Sequence, residues 1–168
     1  MQATTLIRFS AAAAIVAGVL RVGSSFLGAR LGTTAAELLY LVIDIGFVLA
    51  IPGAYLSRHA QLGIAGFVGF LLALCGAASI VGPDGELAGV QMYLLGGGVL
   101  VLGLGTLGAA QLRLGALRLG SSIGWLAALV AMIAAAASQA PWLLTLAGVL
   151  FGLAFIASGR ELLSETRT

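Results

Sequence analysis

Apolar side chains gather into six long stretches, approximately Leu6 to Leu27, Thr34 to Leu56, Leu62 to Val81, Val90 to Leu112, Ser121 to Ser138 and Pro141 to Ser158. Each is close to the roughly 17 to 25 residues that an α-helix needs to cross the hydrocarbon core of a bilayer. Short breaks with turn or charge signals separate them: Gly28 to Gly32, Ser57 to Gln61, Gly82 to Glu86, Arg113 to Gly120 and Gln139 to Pro141. The pattern predicts an all-α integral membrane protein, a single transmembrane domain over residues 1–168. Its architecture is a six-transmembrane-helix bundle with short loops, followed by an aqueous tail from Gly159 to Thr168. The Phe9 to Leu20 stretch resembles the apolar region of a signal peptide. Only Arg8 precedes it as a charge, however, and no Ala-x-Ala site follows, so it is read as a retained helix.

Composition strengthens this picture. Of 168 residues, 61% are hydrophobic and 8% charged, against about 25% charged in soluble domains, and the mean hydropathy is +1.15. A water-soluble globule of this size has too little interior to hide so much apolar surface. The solvent for most side chains is therefore lipid. The chain has eight Arg, no Lys, one His and one Cys. The lone Cys75 forms no internal disulfide, and with a single His59 there is no clustered set of metal or haem ligands. The missing Lys removes Schiff-base chemistry. No nucleophile has a base in sight, so the expectation is a protein that is not an enzyme and carries no cofactor or metal. The net charge of +2 gives no basic face for nucleic acid, because most Arg residues flank apolar runs. Arg in place of Lys, beside 25 Gly, points to a GC-rich bacterium.

The Arg distribution gives a direction. With six spans, the N-terminus, the second and fourth loops and the C-terminus share one side, which holds Arg8, Arg58, Arg113, Arg118, Arg160 and Arg167. The other side holds Arg21 and Arg30, with Asp84 and Glu86. The positive-inside rule then places both termini in the cytoplasm and the chain in the bacterial cytoplasmic (inner) membrane as a multi-pass protein.

Small residues recur at helix-packing intervals. Gly148 and Gly152 form a Gly-xxx-Gly in the sixth span. Gly69, Ala73 and Ala77 line one face of the third, and Ala127, Ala131 and Ala135 one face of the fifth. The fourth carries two heptad pairs, Gly96 with Gly103 and Gly98 with Gly105. Such positions let helices approach closely where lipid supplies no hydrophobic drive. Gly103-Leu104-Gly105-Thr106-Leu107-Gly108 also matches a dinucleotide-binding fingerprint, but it lies inside an apolar helix with no preceding strand, so its glycines are read as contact points. A faint repeat pairs Leu39-Tyr40-Leu41 with Met92-Tyr93-Leu94, and Gly66-Phe67 with Gly124-Trp125.

Three ionisable residues fall at bilayer depth, where charge costs several kcal/mol: Arg21, Glu37 and Asp44. Asp44 lies about 1.5 Å from the centre of its span at the helical rise. Glu37, Tyr40 and Asp44 share one helical face, and Arg21 is placed to pair with either carboxylate. These four are the candidate ligand- or ion-binding residues; the competing expectation is a structural cluster with Asp44 neutral. Ser24, Ser25, Ser79, Gln91, Tyr93, Ser138, Gln139 and Trp142 all map to the outer half of their spans, and the inner half offers little beyond Thr106 and terminal Arg residues. This distribution predicts an outward-opening cavity. His59 is expected as a solvated interface residue and Cys75 as a small core hydrophobe.

Two functions follow as expectations. The first is an accessory or assembly module of a homo-oligomer or larger membrane complex, with the lipid bilayer as its surroundings and no nucleic acid partner. The alternative is a small proton- or cation-coupled transporter, or a ligand-binding protein, using Asp44 with Arg21 and Glu37.

Overall fold

The computed structural model describes residues 3–27, 30–81, 86–87, 90–114 and 119–166. Asp84, Arg118 and Arg167 lie outside them. Six helices form where the apolar runs predict them: α1 (Ala3–Leu27), α2 (Thr33–Leu56), α3 (His59–Ile80), α4 (Met92–Arg113), α5 (Leu119–Ser138) and α6 (Pro141–Glu165). All six are long and apolar enough to cross a membrane, consistent with a multi-pass helical bundle. Without water in the hydrocarbon, a helix is the simplest way for a segment to satisfy its own backbone. Between α3 and α4 the chain makes a small antiparallel hairpin, β1 (Glu86–Leu87) with β2 (Val90–Gln91). The fourth span therefore starts as strand at Val90 and becomes helix at Met92.

Consecutive helices pack side by side, and α6 returns to pack along α1, closing the ring. Both termini share one end, called here the terminal end, where Arg8 Nη2 donates to the Thr166 carbonyl at 3.4 Å. The other is the far end. The centre is filled by aromatic and branched side chains. Phe47 of α2 meets Phe151 edge-on at 5.2 Å and Phe155 at 4.3 Å, and Trp125 of α5 meets Phe155 at 5.9 Å. Ile43, Ile51, Leu104 and Leu107 complete this core. The exterior is the inverse of a soluble protein's, with Ile64, Leu94 and Val130 among many exposed apolar side chains.

Glycines set the closest approaches. On α4, a Cβ at Gly103 would stand 2.8 Å from the Gly69 carbonyl oxygen, and one at Gly96 would stand 3.1 Å from that of Gly76. The reciprocal positions are equally tight: a Cβ at Gly69 or Gly76 would lie 2.9 or 2.7 Å from the Gly103 or Gly96 oxygen. The α3–α4 seam is thus backbone against backbone. The α1–α6 seam repeats the device where Gly18 crosses Gly152, with a Cβ on Gly18 placed 2.5 Å from the Gly152 oxygen. Gly148 differs, facing side chains of α1 rather than backbone. Within the fingerprint-like run, Gly105 meets Leu129 and Gly108 meets Ser122, both on α5. The buried face of α5 is Ala128, Ala131 and Ala135, so Ala128 takes the place expected for Ala127.

Three other expectations change. Residues 159–165 continue α6 instead of forming a tail, because Leu162 is fully buried and its charged neighbours find partners on other helices. Cys75 is exposed on the outside of α3, on the face opposite Ala73 and Ala77. The paired positions of the faint repeat have different surroundings: Gly66 packs on Leu62 of its own helix, whereas Gly124 packs on Ala154 of α6. Two breaks interrupt the helical regularity. Gly63 takes φ 58°, ψ −163°, open to glycine alone at little cost, and separates the first turn of α3 from the rest. Pro52 lies inside α2, where it removes a backbone donor.

The two heptad pairs on α4 supply a test. Gly103→Ala drives a Cβ into the backbone of Ala73 on α3 and is expected to destabilise the bundle by about 1–3 kcal/mol. Gly98→Ala meets nothing within 4 Å and gains helix propensity of up to about 1 kcal/mol. Equilibrium unfolding in detergent should move in opposite directions for the two variants.

Candidate functional site

The three intramembrane charges do not converge. Asp44 is 4% exposed on the core stripe of α2, in line with Ile43, Phe47 and Ile51. Glu37, two turns toward the far end, is exposed, and Tyr40 between them is half-buried. The Arg21 guanidinium carbon lies 5.9 Å from the centroid of the Tyr40 ring, within cation–π range. Its Nη2 faces Gly148 of α6, where a Cβ would stand 3.3 Å away. Among the described residues, no ion pair joins Arg21 to Glu37 or to Asp44. The sequence places Arg21 at the right depth, but the Tyr40 ring and the Gly148 notch receive its head group instead of a carboxylate. Helix faces at equal depth need not turn toward each other, and α1 divides its contacts between α2 and α6.

The polar side chains of the outer half, where they are described, turn to their own helices or to the surface. Ser24 and Ser25 donate to the Arg21 carbonyl at 2.9 and 3.1 Å, Ser79 to that of Gly76 at 2.8 Å, and Ser138 to that of Ala134 at 2.7 Å. These hydroxyls turn back on their own helices, as Ser does in apolar surroundings. Gln91, Tyr93, Gln139 and Trp142 are exposed. Two grooves stand out. One, of about 280 Å³ between α2 and α3, is lined by Ile45, Val48, Leu49, Ala78 and Val81 and is almost wholly apolar. The other, of about 370 Å³, lies along the last turns of α6 at Ala157, Arg160, Glu161 and Ser164. Neither is lined by Arg21, Glu37 or Asp44.

A polar network occupies the terminal end instead, the half in which the sequence offered little beyond Thr106 and Arg. Thr106 itself donates to the Leu102 carbonyl of its own helix. At the C-terminus of α2, where carbonyls lack intrahelical partners, Gln111 Nε2 of α4 donates to the Ala54 oxygen at 3.3 Å. Ser122 of α5 donates to Gln111 Oε1 at 3.0 Å, so one buried amide ties three helices. At the N-terminus of α5, Glu161 accepts the Ser121 N–H at 3.2 Å and its hydroxyl at 2.5 Å, a carboxylate against the positive end of a helix dipole. Arg58, in the turn between α2 and α3, donates through Nη2 and Nε to Glu165 Oε1 at 2.9 and 3.2 Å. Together with Arg8 and Thr166, these bonds engage α1, α2, α4, α5 and α6 and the turn that leads into α3. Sequence reasoning missed them because Gln111, Ser121, Glu161 and Glu165 sit at span borders, where polarity reads as contact with water.

Chemically the network is a clasp of satisfied donors and acceptors. His59 is exposed beside it, its Nδ1 donating to the Leu56 carbonyl at 2.8 Å. Among the described residues, no three His, Cys, Asp or Glu gather as a metal site. No family model, curated protein or solved structure matches this chain.

One buried hydroxyl stands apart from the clasp. Ser10 Oγ is fully buried beside Gly53 and has no hydrogen-bond partner among the described residues. Ser10→Ala is therefore expected to leave thermal stability unchanged or raised. Gln111→Leu strands the buried Ser122 hydroxyl, leaves the Ala54 carbonyl with the Ser57 hydroxyl alone and should cost about 1–3 kcal/mol, read from unfolding in the same detergent.

Proposed function

We propose that this protein is a non-catalytic module of the bacterial cytoplasmic membrane, with both termini cytoplasmic, which serves in the assembly of a homo-oligomer or a larger membrane complex. The observation that carries this reading is the filled centre of the bundle. Phe47, Phe151, Phe155 and Trp125 occupy the middle, where a transporter needs a path, and Arg21, Glu37 and Asp44 stand in three different surroundings. The serine hydroxyls of the far half bond to their own backbones, whereas the polar side chains of the terminal end lock helices to one another. The described Arg8, Arg58, Arg113 and Arg160 lie at that end, which supports its placement in the cytoplasm. Large exposed apolar side chains with narrow loops offer association within the bilayer as the means of contact with a partner.

A second reading, proton- or cation-coupled transport through Asp44, draws on one observation, the burial of that acid near mid-helix. One set of measurements separates the two. Purified in a mild detergent, the wild-type chain and Asp44→Asn are expected to run as the same homo-oligomer or to carry the same co-purifying membrane protein. A strictly monomeric, partner-free wild type sinks the assembly reading. Proton or cation flux into liposomes that is present for wild type and lost in Asp44→Asn replaces it with the second.

A further inference from the structure

The backbone contacts that fix α4 against α3 are not repeated along the outer flanks of this hairpin. Of the neighbouring helix pairs, α2–α3 and α4–α5 are the least extensive, and both are close at the terminal end and part toward the far end. On the α4–α5 flank, a Cβ at Gly108 would stand 3.1 Å from the Ser122 carbonyl oxygen, and one at Gly105 would meet only the Leu129 side chain. A heptad farther along the same face, Gly98 meets nothing within 4 Å, and Ala136, a heptad past Leu129, is exposed. On the α2–α3 flank, Tyr55 stacks on Phe70 at 4.5 Å near the terminal end. Toward the far end the groove of about 280 Å³ lies between Ile45 of α2 and Ala78 of α3. The other four helices stay in close contact: Gly124 packs on Ala154, Gly152 on Gly18 and Gly46 on Ala17, joining α5, α6, α1 and α2 in that order.

The polar ties described between the hairpin and these four helices gather at the terminal end. Gln111 bonds to Ala54 and Ser122, and Arg58, just before α3, pairs with Glu165. Beyond that anchored turn, α3 breaks at Gly63, where φ is 58° and a Cβ would meet nothing within 4 Å. The rest of α3 is therefore not held in line with the turn that precedes it. Close-packed interfaces resist deformation, so movement concentrates where packing is thinnest. We infer that the α3–α4 hairpin is a rigid lever that swings on the other four helices about the terminal end, with Gly63 as its hinge and the two far-end clefts widening and narrowing together. Such a lever serves an assembly module and a transporter alike.

Double electron–electron resonance on the full chain in lipid nanodiscs tests this with nitroxide pairs at exposed positions. Native Cys75 with Leu102→Cys reports within the hairpin, and Val19→Cys with Ile133→Cys within the other four helices. Cys75 with Val19→Cys spans the two bodies in the far half, and Ile64→Cys with Phe9→Cys spans them at the terminal end; pairs that omit Cys75 carry Cys75→Ser. Cys75 stands 12 residues beyond Gly63, about 18 Å along the helix, whereas Ile64 adjoins the hinge. The Cys75–Val19 distance distribution is expected to be about two-fold wider than the other three, because the sweep of a lever grows with distance from its pivot. Gly63→Ala, which cannot hold this backbone conformation at little cost, should narrow it to the width of the Val19–Ile133 pair. A Cys75–Val19 width no greater than that of Val19–Ile133 overturns the proposal, whether or not Gly63→Ala folds. An equally wide Cys75–Leu102 pair overturns the rigid hairpin, an equally wide Phe9–Ile64 pair overturns the pivot, and a folded Gly63→Ala chain with unchanged width overturns the hinge.

Discussion

Lipid tails are as apolar as leucine, so a bundle in the bilayer cannot be held by hiding greasy surface. It must be held by how closely its backbones approach. In this protein the approach is set by Gly69 and Gly76 against Gly103 and Gly96 on one side, and by Gly18 against Gly152 on the other. The α2–α3 and α4–α5 contacts are less extensive than these two seams, and an apolar groove lies between α2 and α3. Where glycine faces glycine the dispersion contacts of two main chains add up.

The two ends of the bundle solve the problem of polar groups differently. At the terminal end, Gln111, Glu161, Arg58 and their partners meet one another, so few donors or acceptors are left over. The Arg58–Glu165 pair is 13% and 33% exposed at its two side chains, so its worth is that of a partly screened pair and its main effect is to fix the end of α6 against the α2–α3 turn. At the far end the hydroxyls fold back on their own helices and the Arg21 head group meets the Tyr40 ring. Helices are joined through side chains at one end and left to their own backbones at the other.

Much of the fold was legible in sequence because bilayer thickness fixes the length of an apolar run, whatever lies beside it. Helix count, approximate bounds and the shared end of the termini follow from that single constraint. Facing was not legible. The pairs Gly96–Gly103 and Gly98–Gly105 have the same spacing, yet the first meets α3 while Gly98 looks into open space, and nothing local distinguishes them. The last turns of α6 misled because Arg160, Glu161 and Glu165 read as contact with water, when Leu162 between them is buried. For the candidate site, depth was readable at one residue per 1.5 Å, which singled out Arg21, Glu37 and Asp44. Azimuth was not, so the partner of Arg21 turned out to be a ring and a glycine instead of a carboxylate.

Closure of the ring by α1 and α6 carries a consequence for biogenesis. Of the six helices, α1 is made before the others and shares its most extensive seam with α6, made after them. Until α6 leaves the translocon, α1 has only α2 to lean on, and its Gly18 face stays open to lipid or to other nascent helices. Insertion of α6 therefore acts as the seal of the six-helix ring. A chain truncated before α6 would present the membrane's quality-control proteases with an unzipped first helix.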